Sequence, residues 1–371
     1  MNGLDDVIAA DTVLSDADGQ AGTLVIRGHS LDELAGRSTY EDVLALLWDG
    51  LFEDAPDRLA LPALLGEARM DAYAYVVRAD AQWIRRDPVE ALRVLLARME
   101  DGEDLATALR LVAGTAVFTA AVLRLRRSLD PTAPDPRARH SADLLRMFYG
   151  ESPTPAQTAA LDRYLVTVSD HGLNASTFAA RVVASTRAGL ASSAIAALSA
   201  LKGPLHGGAP GPVLDCLDGV GRPERARSWL QDKLARGERL MGFGHRIYRV
   251  RDPRADSVKA ALQGLIRGGQ VDAARLRLAE AVEQAALPLL ALKKPDRPLQ
   301  TNVEFYTALL LEALKFPREA FTCVFAVGRV GGWIAHAREQ IAGGRLIRPR
   351  SRYVGPPPSP PHSATPERIA G

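Results

Sequence analysis

Apolar residues recur along this chain at helical spacing far more often than at strand spacing. Between Ala156 and Asp170, Leu161, Tyr164, Leu165 and Val168 fall at i, i+3, i+4 and i+7 and predict one apolar helix face. A further step of three puts His171 on that face at the helix end, where Gly172 is a natural stop. Asn174 has the chemistry of an N-cap for a next helix over Ala175–Arg187. A third helix is expected over Ala191–Leu201, and both are rich in Ala and Ser, which lets helices approach closely. The one clear strand signal is Thr23-Leu-Val-Ile-Arg-Gly28; elsewhere Ala, Leu and Arg dominate and favour helix. Loops are expected at Ser128–His140, with three prolines, and at Lys293–Thr301. Gly355–Gly371 carries six prolines and reads as an extended tail, or as an arm that wraps a partner subunit. No repeat of roughly 20–50 residues is present, which argues against a solenoid.

Composition narrows the class. A chain of 371 residues suggests two domains, or a large lobe and a small one, and buries about 75% of its unfolded surface. The formal charge of +2 comes with no concentrated basic stripe, so a nucleic-acid partner is not expected. Arg far outnumbers Lys, and Arg is the better ligand for carboxylates and phosphates. The two cysteines, Cys216 and Cys323, form neither a CxxC nor a zinc spacing. The acidic N-terminus lacks signal-peptide features. The longest apolar runs are broken by Ser, Arg or Lys before about 18 residues, so no membrane span is expected. A cytoplasmic protein is the simplest expectation.

Four segments carry candidate chemistry. In Gly203-Pro-Leu-His-Gly-Gly-Ala-Pro210, His206 sits among glycines that permit close backbone approach to a ligand; a plain interhelix turn with an exposed His is the alternative. In Met241-Gly-Phe-Gly-His-Arg246, His245 is followed by Arg246, Arg249, Arg251 and Arg254. That pattern suits a phosphate or carboxylate, or else a basic solvated helix. Glu304 lies in the otherwise apolar Asn302-Val-Glu-Phe-Tyr306, where it is either paired or perturbed, or simply an acid in a first helical turn. Arg329, inside Phe321–Trp333, requires an anion, structural or bound. The histidines have no HxH or HExxH spacing, so no metal site is expected.

These motifs, in order, resemble the citrate synthase family in its short bacterial form. The matching elements are Asp170-His171 with Asn174-Ala-Ser-Thr177, Gly-Pro-Leu-His206-Gly-Gly, Gly-Phe-Gly-His245, Asp-Pro-Arg254, Asn302-Val-Glu304, Gly328-Arg329, and Leu-Ile-Arg348-Pro with Tyr353. Ile26-Arg27-Gly28 stands where the family has a Tyr-Arg-Gly type segment, and the likeness runs from about residue 20 to 355. The resemblance implies an all-α fold with a large helical domain, 1–206 plus 311–371, and a small one, 207–310, around a cleft. It implies at least a homodimer, and no extra N-terminal β-domain.

It also implies roles. His171, Arg254, Arg329 and Arg348 would bind oxaloacetate, with Arg348 reaching the other subunit's site, and His245 would donate to the ketone oxygen. Glu304 would be the base that takes the methyl proton of acetyl-CoA, while His206, oriented by Ser176 beside Asn174, would bond the enolate oxygen. CoA would lie along Leu240, Met241, Gly242, Phe243 and Gly244, with Arg249 meeting phosphate and Asn302 nearby. Acetyl-CoA is a substrate, and no cofactor is implied. The family's usual base is Asp. Glu304 is longer by about one C–C bond, ~1.5 Å, and a misplacement near 1 Å can cost on the order of a hundredfold in rate. A subset of secondary bacterial members with Glu at this position is the group most resembled. The alternatives are a 2-methylcitrate synthase using propionyl-CoA, a citryl-CoA lyase-like activity, for which no ligase module is present, and a weakly active or non-catalytic paralogue that binds oxaloacetate or CoA.

Overall fold

The computed structural model describes residues 7–54, 57–77, 86–207 and 210–357. It opens with a three-stranded antiparallel sheet, β1 (Ser15–Asp18), β2 (Thr23–Ile26) and β3 (His29–Ser30), in register Ser15 to Ile26 and Val25 to Ser30. The expected strand is thus β2; Arg27 and Gly28, at φ +49° and +83°, make the turn that follows it. The rest is helical: α1 (Leu31–Leu34), α2 (Tyr40–Trp48), α3 (Leu61–Val77), α4 (Pro88–Leu96), α5 (Leu105–Leu125), α6 (His140–Tyr149), α7 (Pro155–Val168) and α8 (Ala175–Ala184). Then come α9 (Leu190–Leu201), α10 (Pro210–Val220), α11 (Ala226–Ala235), α12 (Pro253–Arg267), α13 (Ala274–Lys293), α14 (Val303–Ala313) and α15 (Phe321–Gly343). The all-α expectation holds.

The core forms around α15, which packs on α2, α5, α7, α8 and α9. Its glycines let other backbones close in. A Cβ at Gly332 would lie 2.2 Å from the Ser169 carbonyl oxygen, so the chain leaving α7 rests directly on α15. Helices α8 and α9 pack closely through Ala180, Ala184, Ala191, Ala194 and Ala197, as their small side chains predict.

Boundaries follow local hydrogen bonding. Thr154 and Gln157 cap the start of α7, with Pro155 in its first turn. Leu161, Tyr164, Leu165 and Val168 are all fully buried, as their spacing requires. The helix stops at Val168 rather than Asp170, because the Ser169 hydroxyl turns back to the Val166 carbonyl at 2.8 Å. Likewise α8 stops at Ala184 instead of Arg187: Ser185 and Thr186 hydroxyls take the last carbonyls, and Arg187 turns left-handed at φ +64°.

Helix α5 and the stretch Arg318–Gly343 are long and apolar enough by composition to cross a membrane, contrary to the expectation from broken apolar runs. A single charged residue interrupts such a run without lowering its mean hydropathy enough, and both stretches are mostly buried inside this fold. After α15 the chain runs exposed and irregular from Arg345 to Pro357. Of the proline-rich tail, residues 358–371 lie outside the described residues, as do Gly208 and Ala209 in the His206 segment.

Candidate active site

The turn between α7 and α8 builds one half of the site. Asn174 caps α8: its Oδ1 accepts the Ser176 and Thr177 N–H groups, both at 3.1 Å, and lies 2.7 Å from the Ser176 hydroxyl. That hydroxyl also receives the Trp333 indole N–H at 3.2 Å and lies 2.8 Å from His206 Nε2. The Ser176 N–H points at the same imidazole nitrogen at 3.3 Å. A nitrogen that accepts an N–H is unprotonated, so the proton of a neutral His206 sits on Nδ1. His206 itself stands in the tight turn after α9, closed by Gly207 N–H to the Leu201 carbonyl at 2.9 Å. Burial, then Arg329 and Arg254, push its pKa down to about 4, so the ring is neutral at neutral pH.

The other half is organised by one carboxylate. Asp252 caps α12 and holds Arg254 in a fork, Oδ1 to Nε at 3.0 Å and Oδ2 to Nη2 at 2.8 Å. Its Oδ2 also accepts Val303 N–H at 3.1 Å, tying the start of α14 to the start of α12. Burial opposes the Arg254 charge, but Asp252 holds its pKa above the ordinary value. Asn302 caps α14 and reaches back, its side-chain amide donating to the Gly244 carbonyl at 2.8 Å and its backbone N–H to Gly242 at 3.0 Å. Gly242 and Gly244 stand at φ +85° and +84°, a conformation glycine adopts freely, so the Leu240–Gly244 loop is pinned beside the α14 N-terminus.

His245 follows that loop. Its Nδ1 accepts the N–H groups of Ile247 and Tyr248 at 3.1 and 3.2 Å. The ring proton therefore sits on Nε2, 3.2 Å from Arg254 Nη2. Guanidinium has no lone pair to offer, so two donors face each other there, a geometry that an acceptor oxygen between them relieves. His171 stands edge-on to His245 with ring centres 5.4 Å apart, its Nε2 lying 3.1 Å from the Tyr248 hydroxyl. Burial, then Arg254, His245 and Arg329, hold the His171 pKa well below its ordinary value, and His245 is pushed down to about 4, mainly by burial.

Two more charged groups complete the site, a half-buried acid and a buried base. Glu304 is in the first turn of α14, with Oε2 unpartnered. Burial raises its pKa to about 7 against the pull of Arg254, with Asp252 adding to the rise. Both expectations for Glu304, first-turn acid and perturbed carboxylate, thus hold together. Arg329 is 1% exposed in α15; its Nε donates to the Val168 carbonyl, and its Nη2 has no partner. Burial lowers its pKa to about 10, with Asp170 working the other way.

The fold therefore gathers His171, Asn174, Ser176, His206, His245, Arg254, Glu304 and Arg329 into one electrostatically coupled cluster. Arg249 and Arg348 supply no side chain to its interior: both are exposed, Arg249 acting on His245 through its charge alone and Arg348 lying on the segment after α15. The His245–Arg251 stretch is a loop, not a basic helix. Tyr248, Asp252 and Trp333 were not foreseen. Asp252 was readable as an N-cap before Pro253; Tyr248 and Trp333 meet their partners only across the fold. Among the described residues, no three His, Cys, Asp or Glu side chains are placed to hold a metal ion.

Comparison with known proteins agrees over nearly the whole chain. The family model "Citrate synthase, C-terminal domain" matches residues 3–350. A Mycobacterium tuberculosis protein named "Putative citrate synthase 2" is 40% identical, over 97% of this chain and 94% of its own. A Haloferax volcanii citrate synthase is 37% identical, covering 95% of each chain. A 2-methylcitrate synthase of Mycobacterium tuberculosis is 35% identical, over 95% of this chain and 90% of its own. The Thermoplasma acidophilum citrate synthase solved with carboxymethyl coenzyme A and oxaloacetate superimposes with TM-score 0.83 at 28% identity, over 96% of this chain and 97% of that one. The chain belongs to the citrate synthase family of acyl-transferring condensing enzymes.

Proposed function

We propose that this enzyme condenses acetyl-CoA with oxaloacetate and hydrolyses the resulting citryl-CoA to citrate and CoA. The observation that carries the reading is Glu304, a half-buried acid with one buried, unpartnered carboxylate oxygen and a pKa raised to about 7, in the same cluster as neutral His206. A base for a weak carbon acid works best with a pKa near the operating pH. Glu304 takes a methyl proton from acetyl-CoA while His206 Nδ1–H bonds the thioester oxygen. The resulting carbon nucleophile attacks the ketone carbon of oxaloacetate, His245 Nε2–H hydrogen-bonds the ketone oxygen as negative charge develops on it, and the proton that Glu304 took balances that charge when the oxygen becomes a hydroxyl. Arg254, Arg329 and His171 bind the dianion. Water then cleaves the citryl thioester, with lobe closure keeping water out until condensation is complete.

CoA lies along Leu240–Gly244 near Asn302, with Arg249 meeting phosphate. The large lobe is 1–206 plus 311–371 and the small lobe 207–310. A homodimer completes the site: Arg348 reaches a second copy from an exposed segment that also carries exposed Leu346, Tyr353 and Val354. The reaction uses no metal or cofactor, and the enzyme works in the cytoplasm, in the tricarboxylic acid cycle. Fixing Glu304 N–H to the Asn302 cap, and Val303 N–H to Asp252, supports a backbone set to carry the longer base.

The second reading is 2-methylcitrate synthesis from propionyl-CoA, favoured by the 35% identical relative of that name. One methylene in an apolar pocket is worth about 1–3 kcal/mol. Release of free CoA thiol with oxaloacetate, acetyl-CoA and propionyl-CoA run side by side, tests both. A kcat/KM larger for acetyl-CoA supports the first, the reverse order the second, and release with neither leaves a non-catalytic paralogue. Activity that vanishes on exhaustive chelation and returns with a divalent ion would overturn the metal-free reading.

A further inference from the structure

The N-terminal hairpin supplies no group to the chemistry above, yet it touches both segments that carry the oxaloacetate-side histidines. At one end, the Ser15 hydroxyl donates to Asp170 Oδ2 at 2.6 Å and accepts Gly172 N–H at 2.7 Å, gripping the residues on either side of His171. At the other end, the Gly19 carbonyl accepts Arg249 N–H at 2.8 Å, and a Cβ at Gly19 would lie 2.2 Å from the Ile247 carbonyl oxygen. The turn itself is stiff: Asp18 Oδ1 accepts Gln20 and Ala21 N–H at 2.8 and 2.9 Å. The circuit closes through the Tyr248 hydroxyl on His171 and the Tyr248 N–H on His245.

We propose that this hairpin is a ruler that sets His171 against His245, with Ser15 and Gly19 as its positioning residues. The four residue steps from Ser15 to Gly19 span about 13 Å at the extended rise, and the ladder Ser15 to Ile26 through Asp18 to Thr23 keeps the strand's length fixed. The His171 turn follows α7, whereas His245 precedes α12, and the hairpin joins the two from outside the ligand's space. The inference rests on the oxaloacetate reading of these histidines.

The test compares Ser15→Ala, Ser15→Thr and Gly19→Ala with the wild type in steady-state kinetics, thermal melts and nitrogen-15 NMR of the histidine rings. Ser15→Ala is expected to raise the oxaloacetate KM by roughly tenfold, the scale of losing the two half-buried hydrogen bonds of its hydroxyl, with the acetyl-CoA KM within about twofold. Ser15→Thr restores it, and Gly19→Ala has the larger effect because backbone must move. The His171 and His245 ring signals shift while those of His206 stay. Unchanged oxaloacetate KM in both Ser15→Ala and Gly19→Ala would overturn the proposal. So would a parallel rise of both KM values with a fallen melting temperature, which marks general loss of structure. A wild type that releases no CoA refutes the oxaloacetate reading instead, and the ring signals still decide whether the hairpin positions the histidines.

Discussion

The two halves of the site differ in how finished they are without a ligand. Around His206, every polar atom has a hydrogen-bonding neighbour: Trp333 donates to the Ser176 hydroxyl, whose one proton serves Asn174 Oδ1 or His206 Nε2, and one ring N–H is left over to offer. Around His245 and Arg329, donors meet donors or nothing: His245 Nε2 faces Arg254 Nη2, and Arg329 Nη2 is buried with no partner. The His206 half is preorganised, and the half of His245 and Arg329 is poised for negative charge.

The sharpest way to break the comparison is at the half-buried acid. Glu304→Gln keeps shape but cannot accept a proton, and kcat should fall about 10²–10⁴-fold with both substrates still bound. Exchange of acetyl-CoA methyl protons with deuterium, in the presence of an unreactive oxaloacetate analogue, checks this directly; undiminished exchange would move the base elsewhere. Glu304→Asp should also slow the enzyme, because the capped backbone is set for the longer side chain.

Arg329→Leu attacks the poised half alone. Losing one fork of a buried charge pair costs about 2–5 kcal/mol, so calorimetry should find oxaloacetate affinity down by two to three orders of magnitude on that scale, with CoA affinity retained. Ser176→Ala attacks the finished half: with His206 free to turn, kcat should drop roughly tenfold, as for one lost orienting hydrogen bond, with oxaloacetate KM unmoved.

Acidity sharpens the contrast further. Glu304, at about 7, must be ionised to act, so kcat/KM should fall as pH drops through 7, with no second break until the histidines charge near 4. The same histidines, neutral in the fold and ordinary at 6.5 when unfolded, should cost stability as pH falls from about 6.5 towards 4. The smallest expected effect is thermal. A ligand stabilises by RT ln(1 + [L]/Kd), about 2.7 kcal/mol at 100-fold above Kd, so at equal sub-millimolar concentrations oxaloacetate should raise the melting temperature more than CoA if the poised half binds the more tightly of the two alone.

Much of this was legible in the chain itself. The period of Leu161, Tyr164, Leu165 and Val168 located α7, and Asn174 located the start of α8, because those signals are local. Glu304 and Arg329 stood out because a charge in an apolar run needs a reason. What stayed hidden depends on distance along the chain. Trp333 meets Ser176 across 157 residues, and Ser15 meets Asp170 across 155, so no window of sequence pairs them. Tyr248 looked like part of a basic stretch, and only its burial beside His171 separates it from its arginine neighbours.

Arg329 has a consequence beyond ligand binding. It is the sole charged residue between Phe321 and Ala337, at the middle of a stretch long and apolar enough for a bilayer. An arginine at the centre of such a helix disfavours insertion by about 2.5–3.5 kcal/mol, whereas leucine favours it slightly. Until α5, α7 and α8 cover it, that guanidinium is the one charge that opposes entry of the central part of α15 into a bilayer. Arg329→Leu should therefore lose yield to the membrane fraction on expression, and Arg329→Lys, equally unable to mimic the planar fork, should not.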